Sequence, residues 1–422
     1  MIVELINTGS ELMLGRVLNT HQQWLCRQLS DLGYLVSRQV AIADTGPEIV
    51  QALREALARA DIVITTGGLG PTTDDLTRDL IAEMLGRKLV EDPVTLAQVA
   101  RFFEIRGRTM PDRARVQALV PEGSRILPNS HGTAPGLAIQ SGSLRAGRTP
   151  AWLILLPGPP RELRPMFREQ VVPLLQREAP VPAAFVCRTL RSTGLGESLV
   201  QDKIAPWLNA QVGAGLDLGY CARPGEVDVR LAAQGPEAES VVAAAEAIVR
   251  RRLGESLFGV GEDQLETVVV RLLTERKETL ALAESCTGGG IANRLTNVPG
   301  ASAVFPGGWV TYSNAAKQAW LDVEGHALAE HGAVSEPVAR QMAEGARRHL
   351  GSTYALSVTG IAGPDGGTAA KPVGTVFIGL AGPFETVVQK NFNPFDRETF
   401  KQVTAQQALD LLRRKIPPPS PS

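Results

Sequence analysis

AESCTGGG, at residues 283–290, decides how the last third of this chain is read. It puts Ser285 where an apolar, strand-like run (Thr279 to Ala283) turns through small residues into a helix. A hydroxyl at such a junction stands on rigid structure beside exposed N–H groups, which can stabilise an oxyanion or a phosphate. TYSNAAK follows at 311–317 and supplies Tyr312 and Lys317, either of which could relay a proton from that hydroxyl. Neither stretch holds a histidine, so a Ser-His-Asp triad is not indicated. A serine nucleophile with a lysine base is a known variant of that logic. The structural alternative is that Ser285 caps a helix and Lys317 is a solvated surface lysine. A second loop, GPDGG at 363–367 within SVTGIAGPDGGTAAKPVGTV (357–376), is too rich in glycine to be a packing element.

Working outward, the first 170 or so residues alternate strand-like runs with amphipathic stretches. The strand-like runs are Val3 to Asn7, Tyr34 to Ile42, Asp61 to Thr66 and Trp152 to Leu156. Helical spacing marks Thr20 to Leu32, Pro47 to Ala60 and Asp75 to Leu85. This alternation predicts a mostly parallel sheet covered by helices, with ligands at the carboxyl ends of the strands. GGLGPTTDDLT (67–77) lies there, between a strand and a helix. Its glycines let the backbone approach a ligand, and the helix N-terminus favours anions. Asp74 and Asp75 suit a divalent ion on a pyrophosphate, or are simply charges favourable to the helix dipole. The stretch is neither a Walker loop nor a dinucleotide fingerprint.

A proline-rich stretch near Glu178 to Pro182 reads as a linker. A smaller α+β unit follows, with strand-like Phe185 to Arg191 and Glu226 to Leu231 and helices over 197–208 and 237–253. A third, α/β unit begins near Gly261, and the Pro/Ser tail from Pro417 reads as disordered. The expected boundaries are thus 1–177, 178–260, 261–416 and 417–422. At 422 residues the chain is long enough for two or three domains. Its 44% apolar and 21% charged residues describe a soluble globular protein. A net charge of −1 argues against a broad nucleic-acid surface. The basic clusters Arg250 to Arg252 and Arg413 to Lys415 fall at expected helix C-termini, where cations suit the dipole. The four cysteines have no C-x-x-C spacing and suggest neither disulfides nor a zinc site. No charged segment followed by a long apolar one opens the chain, and no run approaches a membrane span. The expectation is a cytoplasmic protein without a membrane partner.

The C-terminal strings, with HGAVSEPVARQMAEGAR (331–347) between the glycine loops, resemble the amidase domain of the CinA family (competence/damage-inducible protein A), the nicotinamide mononucleotide deamidases. The resemblance implies Ser285 as nucleophile, assisted by Tyr312 and Lys317, with no cofactor. Ligand contacts are expected from Thr287, Gly288, Gly289, Thr359, Gly360, Gly363, Gly367 and Arg397, and an oxyanion hole from the amides of 287–289. TGSELMLGRVLNTH (8–21), ITTGGLGPTTDDLT (64–77), NSHGTAPGLAI (129–139) and LPGPPRELRPMF (156–167) resemble the molybdopterin-binding-like, three-layer α/β domain that opens CinA proteins. That resemblance implies hydrolysis of ADP-ribose to AMP and ribose 5-phosphate, dependent on a divalent metal (Co2+, Mg2+ or Mn2+) and stimulated by K+. Phosphate contacts then fall on Gly67, Gly68, Gly70, Thr72 and Gly132, and metal ligands on Asp44, Asp74 and Asp75. The middle unit resembles the family's KH-like module, but its Gly194 to Gly196 loop has the wrong spacing for a G-x-x-G clamp, so direct nucleic-acid binding is not expected. A homodimer is implied. Three other readings stay open: chiefly an ADP-ribose pyrophosphatase, a pterin-binding protein, or a non-catalytic scaffold in competence or DNA repair.

Overall fold

The computed structural model describes residues 1–73, 75–142, 149–181 and 184–416. Asp74 and the 417–422 tail therefore lie outside the described residues. The chain divides into two compact units, 1–187 with 234–236, and 188–233 with the chain from 237 onward.

In the first unit, strands β1 (Ile2–Thr8), β2 (Leu35–Ile42), β3 (Ile62–Thr66), β4 (Arg125–Leu127), β5 (Gly136–Gln140) and β6 (Trp152–Leu156) form one sheet in the order β2-β1-β3-β6-β5-β4. The first four in that order run parallel, and β5 pairs antiparallel with both β6 and β4. All five residues of β3 are buried, the mark of a parallel strand covered on both faces. One face packs against Leu25 and Leu29 of helix α1 (Thr20–Asp31) and against Leu163, Phe167 and Leu175. The other packs against Ile49, Leu53 and Leu57 of α2 (Gly46–Arg59) and Ile81 of α3 (Thr77–Met84). The result is the expected three-layer α/β domain. The antiparallel edge was not legible, because β4 is only three residues long and carries no periodicity.

The middle segment forms a four-stranded sheet, order β8-β9-β7-β10, from β7 (Phe185–Thr193), β8 (Asp217–Arg223), β9 (Glu226–Gln234) and β10 (Leu257–Val260), with helix α4 (Ala238–Leu253). β8 and β10 escaped the sequence reading: β8 is largely solvent-facing and β10 has four residues. This sheet belongs to the same compact unit as the C-terminal domain. Buried Gln406 donates to Thr193 Oγ1 (3.4 Å), and the fully buried Arg191 pairs with Glu226 (2.6 Å) and Asp228 (2.7 Å). Arg250–Arg252 and Arg413–Lys415 occupy the last turns of their helices, as the dipole argument anticipates.

The C-terminal sheet has the order β12-β11-β13-β14-β15, from β11 (Leu280–Glu284), β12 (Gly307–Val310), β13 (Tyr354–Gly360), β14 (Thr375–Ala381) and β15 (Thr386–Phe392). β11 lies between two parallel neighbours and is buried along its whole length. Helices α5 (Leu265–Arg276), α6 (Gly290–Thr296) and α9 (Arg397–Lys415) cover one face. α7 (Asn314–Leu321) and α8 (Glu336–Leu350) cover the other. Ser285 and the 361–374 loop thus emerge at one end of the sheet, where α/β folds build their sites. No helix among the described residues is long and apolar enough to cross a membrane.

Candidate active site

The site begins with a buried carboxylate that the sequence reading passed over. Glu284 ends β11 and is 1% exposed. Its Oε2 accepts the N–H groups of Gly289 (3.0 Å) and Ile291 (3.1 Å), and its Oε1 accepts that of Ala292 (2.8 Å). The otherwise orphaned amides at the start of α6 are thereby satisfied, and the nucleophile loop is pinned between strand and helix. Gly288 and Gly289 hold left-handed backbone (φ +61° and +89°), so the turn can close only with glycine. The Glu284 carbonyl accepts the Thr311 N–H at 2.8 Å, which carries the chain from β12 alongside the nucleophile.

TYSNAAK then places its lysine. Ser313 caps α7 by accepting the Ala316 N–H (3.1 Å), and Lys317 lies one turn inside the helix. Its side chain points into the protein and is 1% exposed. Nζ lies 3.0 Å from Ser285 Oγ and donates to the Thr311 carbonyl at 2.7 Å. Neither residue is a surface group or an incidental cap. Burial pushes the Lys317 pKa below the ordinary lysine value, the neighbouring Cys286 sulfur acting weakly the other way. Burial likewise pushes the Cys286 thiol up to about 12, so the cysteine beside the serine is held as an inert thiol.

Tyr312 is placed differently from expectation. It is 62% exposed, and its hydroxyl accepts a hydrogen bond from Arg397 Nη2 (2.7 Å). Among the described residues, Lys317 Nζ bonds Ser285 and Thr311, not the phenol. Arg397 also donates to the Gly363 carbonyl (2.8 Å), tying the second glycine loop to the first turn of α9. The expected oxyanion donors need correction as well. The Gly289 amide is taken by Glu284, and the Gly288 amide by the Ser285 carbonyl (3.1 Å). Thr287 remains, with a 1%-exposed side chain whose hydroxyl has no partner among the described residues. The Thr359 hydroxyl donates its proton to the Ala333 carbonyl at 2.7 Å and so has only acceptor capacity left. Gly360 and Gly367 serve close packing: a Cβ on either would come within 2.8 Å of Val376 or Val373.

Thr287, two residues past the serine, lines a pocket of about 470 Å³ with Gly290, Arg294, Arg397, Glu398 and Lys401; Ser285 and Lys317 are not among its lining residues. Arg294 is held by Glu266 (2.6 Å) and Gln406 (2.7 Å). Lys401 has no hydrogen-bond or ion-pair partner among the described residues, and its Nζ lies 3.7 Å from where a Cβ on Gly288 would sit. The sequence reading missed Lys401, although its spacing of four from Arg397 puts both on one helix face.

In the N-terminal unit, Gly67, Gly68, Gly70 and Asp75 line a cavity of about 320 Å³ with Gln117 and Glu162. Gly67 and Gly68 have φ of +100° and +69°, and a Cβ on Gly68 would sit 2.0 Å from Thr77 Oγ1. Asp75 accepts the Thr72 N–H (2.9 Å) and the Thr72 hydroxyl, which closes the loop. Asp44 instead accepts the Ser10 hydroxyl and is not among that cavity's lining residues. Gly132 is no phosphate cradle: a Cβ there would lie 1.9 Å from the Glu162 carboxylate, so it packs on an anion. No group of three or more His, Cys, Asp or Glu side chains in a metal-holding arrangement occurs among the described residues.

A buried Ser/Lys pair at the carboxyl edge of an α/β sheet, on a chain that also carries a glycine-lined α/β cavity, defines a protein with two candidate active sites. The chain belongs to the CinA family. Residues 262–416 match the CinA C-terminal domain, 187–259 the damage-inducible protein CinA KH domain, and 4–177 the probable molybdopterin binding domain. A relative in Symbiobacterium thermophilum, named for competence-damage induction, is 46% identical over 99% of both chains. A CinA-like protein of Akkermansia muciniphila is 44% identical over 98% of both. A solved competence/damage inducible protein from Agrobacterium tumefaciens is 37% identical, covering 36% of this chain and 96% of its own, with a TM-score of 0.35.

Proposed function

We propose that the C-terminal domain is a Ser/Lys amidohydrolase that converts nicotinamide mononucleotide to nicotinic acid mononucleotide and ammonia. The observation that carries this reading is the Ser285–Lys317 contact of 3.0 Å between two buried side chains, with the lysine driven toward its neutral form. A neutral amine accepts the Ser285 proton while Oγ bonds to the carboxamide carbon. The carbonyl electrons move onto oxygen, where Thr287 offers donors. As the intermediate collapses, the Lys317 ammonium passes its proton to the departing nitrogen, ammonia leaves and a serine ester remains. Water then attacks the ester, Lys317 takes its proton, and the acid is released with Ser285 restored. Arg294, Arg397 and the unpaired Lys401 outnumber Glu398 in the pocket that Thr287 lines, and this net positive lining suits the substrate's phosphate. A scaffold with no catalysis has no use for a buried lysine against a serine with no ion-pair partner among the described residues, since burial of that amine is unfavourable.

For the N-terminal domain we propose metal-dependent hydrolysis of ADP-ribose, supported by the glycine-lined cavity at the start of α3. A divalent ion bound there would offset phosphate charge. Asp75 lines that cavity and fits such an ion, whereas Asp44 is not among the cavity's lining residues.

The test is to incubate full-length protein separately with each nucleotide, with and without chelator, and to repeat the first arm with Ser285→Ala. Ammonia release should survive chelator and vanish in Ser285→Ala, and ADP-ribose hydrolysis should respond the opposite way. Chelator-sensitive ammonia release would overturn the amidase reading.

A further inference from the structure

The charge of the N-terminal cavity is opposite in sign to that of the C-terminal pocket, whose lining holds three cations and one acid. Asp75 and Glu162 line the N-terminal cavity, and among the described residues no lysine, arginine or histidine does. Glu162 is only 7% exposed, yet it is not neutralised by a buried cation. Its Oε2 accepts Asn129 Nδ2 at 2.8 Å, and Arg161, 3.7 Å away, has a side chain 76% exposed. Gly132 backs the carboxylate so closely that any side chain there would displace it. Glu162 is thus a carboxylate fixed in place against the wall of a cavity.

Gln117 adds an independent observation. It is 2% exposed, lines the same cavity, and its Oε1 is buried without a hydrogen-bond partner. A buried acceptor without a donor is unfavourable unless something fills it. Two carboxylates lining the same cavity as that amide oxygen favour a cation over any anion. The donors are all oxygen, which suits hard divalent ions and not zinc or copper. Such ions use one or two carboxylates and complete their shell with water and phosphate, so no third acid is needed.

We propose that Asp75, Glu162 and the Gln117 amide oxygen hold a divalent cation of the Mg2+/Mn2+ class. A diphosphate ester, repelled by two carboxylates, then enters only as the metal complex. The proposal rests on the N-terminal reading above and assigns two ligands, Glu162 and Gln117, that the sequence motifs do not.

The probe is Mn2+ alone, titrated into full-length protein and followed by the electron paramagnetic resonance of free Mn2+. One saturable site per chain is expected. Glu162→Gln should weaken Mn2+ at least tenfold and Gln117→Leu severalfold. Asp79→Asn, an exposed acid on α3 paired with Arg78, should leave it unchanged. Metal-free thermal unfolding checks that each variant is folded. If a variant does not fold, spin-echo modulation of Mn2+ bound to the unaltered protein decides alone, because only oxygen ligands are expected. Nitrogen coupling, pointing to His21 at the Gly158 backbone, would overturn the site. So would wild-type affinity in a folded Glu162→Gln, or no saturable binding at millimolar Mn2+. A site that binds Mn2+ as expected in a protein that never cleaves ADP-ribose would stand while the hydrolase reading fell.

Discussion

Replacing Lys317 by arginine separates the two things a lysine can do at this site. Arginine keeps a cation and a donor within reach of Ser285, but it cannot be deprotonated in a protein and so cannot act as base. Loss of a positioned general base costs about 10²- to 10⁴-fold, and more when base and nucleophile act as a unit. Lys317→Arg should therefore fall at least a hundredfold in ammonia release. In the unaltered protein kcat/KM should rise with pH as Lys317 loses its proton, with a midpoint below the ordinary lysine value of about 10.4. The same shift fixes a stability dependence. Between the depressed pKa of the folded state and about 10.4 the unfolded chain holds a proton that the folded chain has released. Stability attributable to this residue therefore rises with pH across that window, by about 1.4 kcal/mol per unit. Below the window the penalty of burying the ammonium is felt in full. Lys317→Met lacks the slope, and comparing its pH dependence with that of the unaltered protein cancels the pH-independent loss of the Thr311 contact. The assay is denaturant unfolding of the C-terminal unit at several pH values beside initial rates. A Lys317→Arg variant within tenfold of normal activity, or equal slopes for the unaltered protein and Lys317→Met, would refute the reasoning.

Cys286→Ala should deamidate within about threefold of normal, since a thiol pushed up to about 12 is thiolate in on the order of one molecule in 10⁵ at pH 7; loss of ammonia release would reverse the roles of the two neighbours. Glu284→Gln, which weakens three charge-assisted bonds to the start of α6, should destabilise the C-terminal unit by about 1–3 kcal/mol and lower kcat, read by unfolding and rates. Tyr312→Phe removes the Arg397 contact without touching the Ser285–Lys317 pair, so KM should rise more than kcat falls; a fall in kcat alone would restore the proton-relay role expected from sequence.

The sequence made the outline of both α/β domains legible because parallel strands buried on both faces read as continuous apolar runs. Ile62–Thr66 and Leu280–Glu284 are such strands. It failed at short or solvent-facing strands such as Arg125–Leu127 and Asp217–Arg223, whose pairing is set by tertiary context and not by local pattern. Ser285 and Lys317 were legible as a pair because strand, turn and capped helix each have a local signature. Glu284 was overlooked although it precedes the serine, since a carboxylate at a strand end gives no sign that it will fold back onto amides five to eight residues later. Lys401 and Gln117 were invisible for a related reason: what distinguishes them is a missing partner, which only the packed structure reveals. Motif glycines also answer to packing, which the sequence does not display. Gly132 and Gly360 exist because a carboxylate and a strand approach too closely for any side chain.

The central claim is that the Ser285 oxygen carries the acyl group. Rapid-quench mass spectrometry of full-length protein mixed with nicotinamide mononucleotide tests it directly. The account predicts an adduct equal to the substrate less ammonia on the peptide holding AESCTGGG, fragmenting to Ser285, decaying at neutral pH and absent from Ser285→Ala. An adduct on Cys286, or undiminished ammonia release from a folded Ser285→Ala protein, would contradict it.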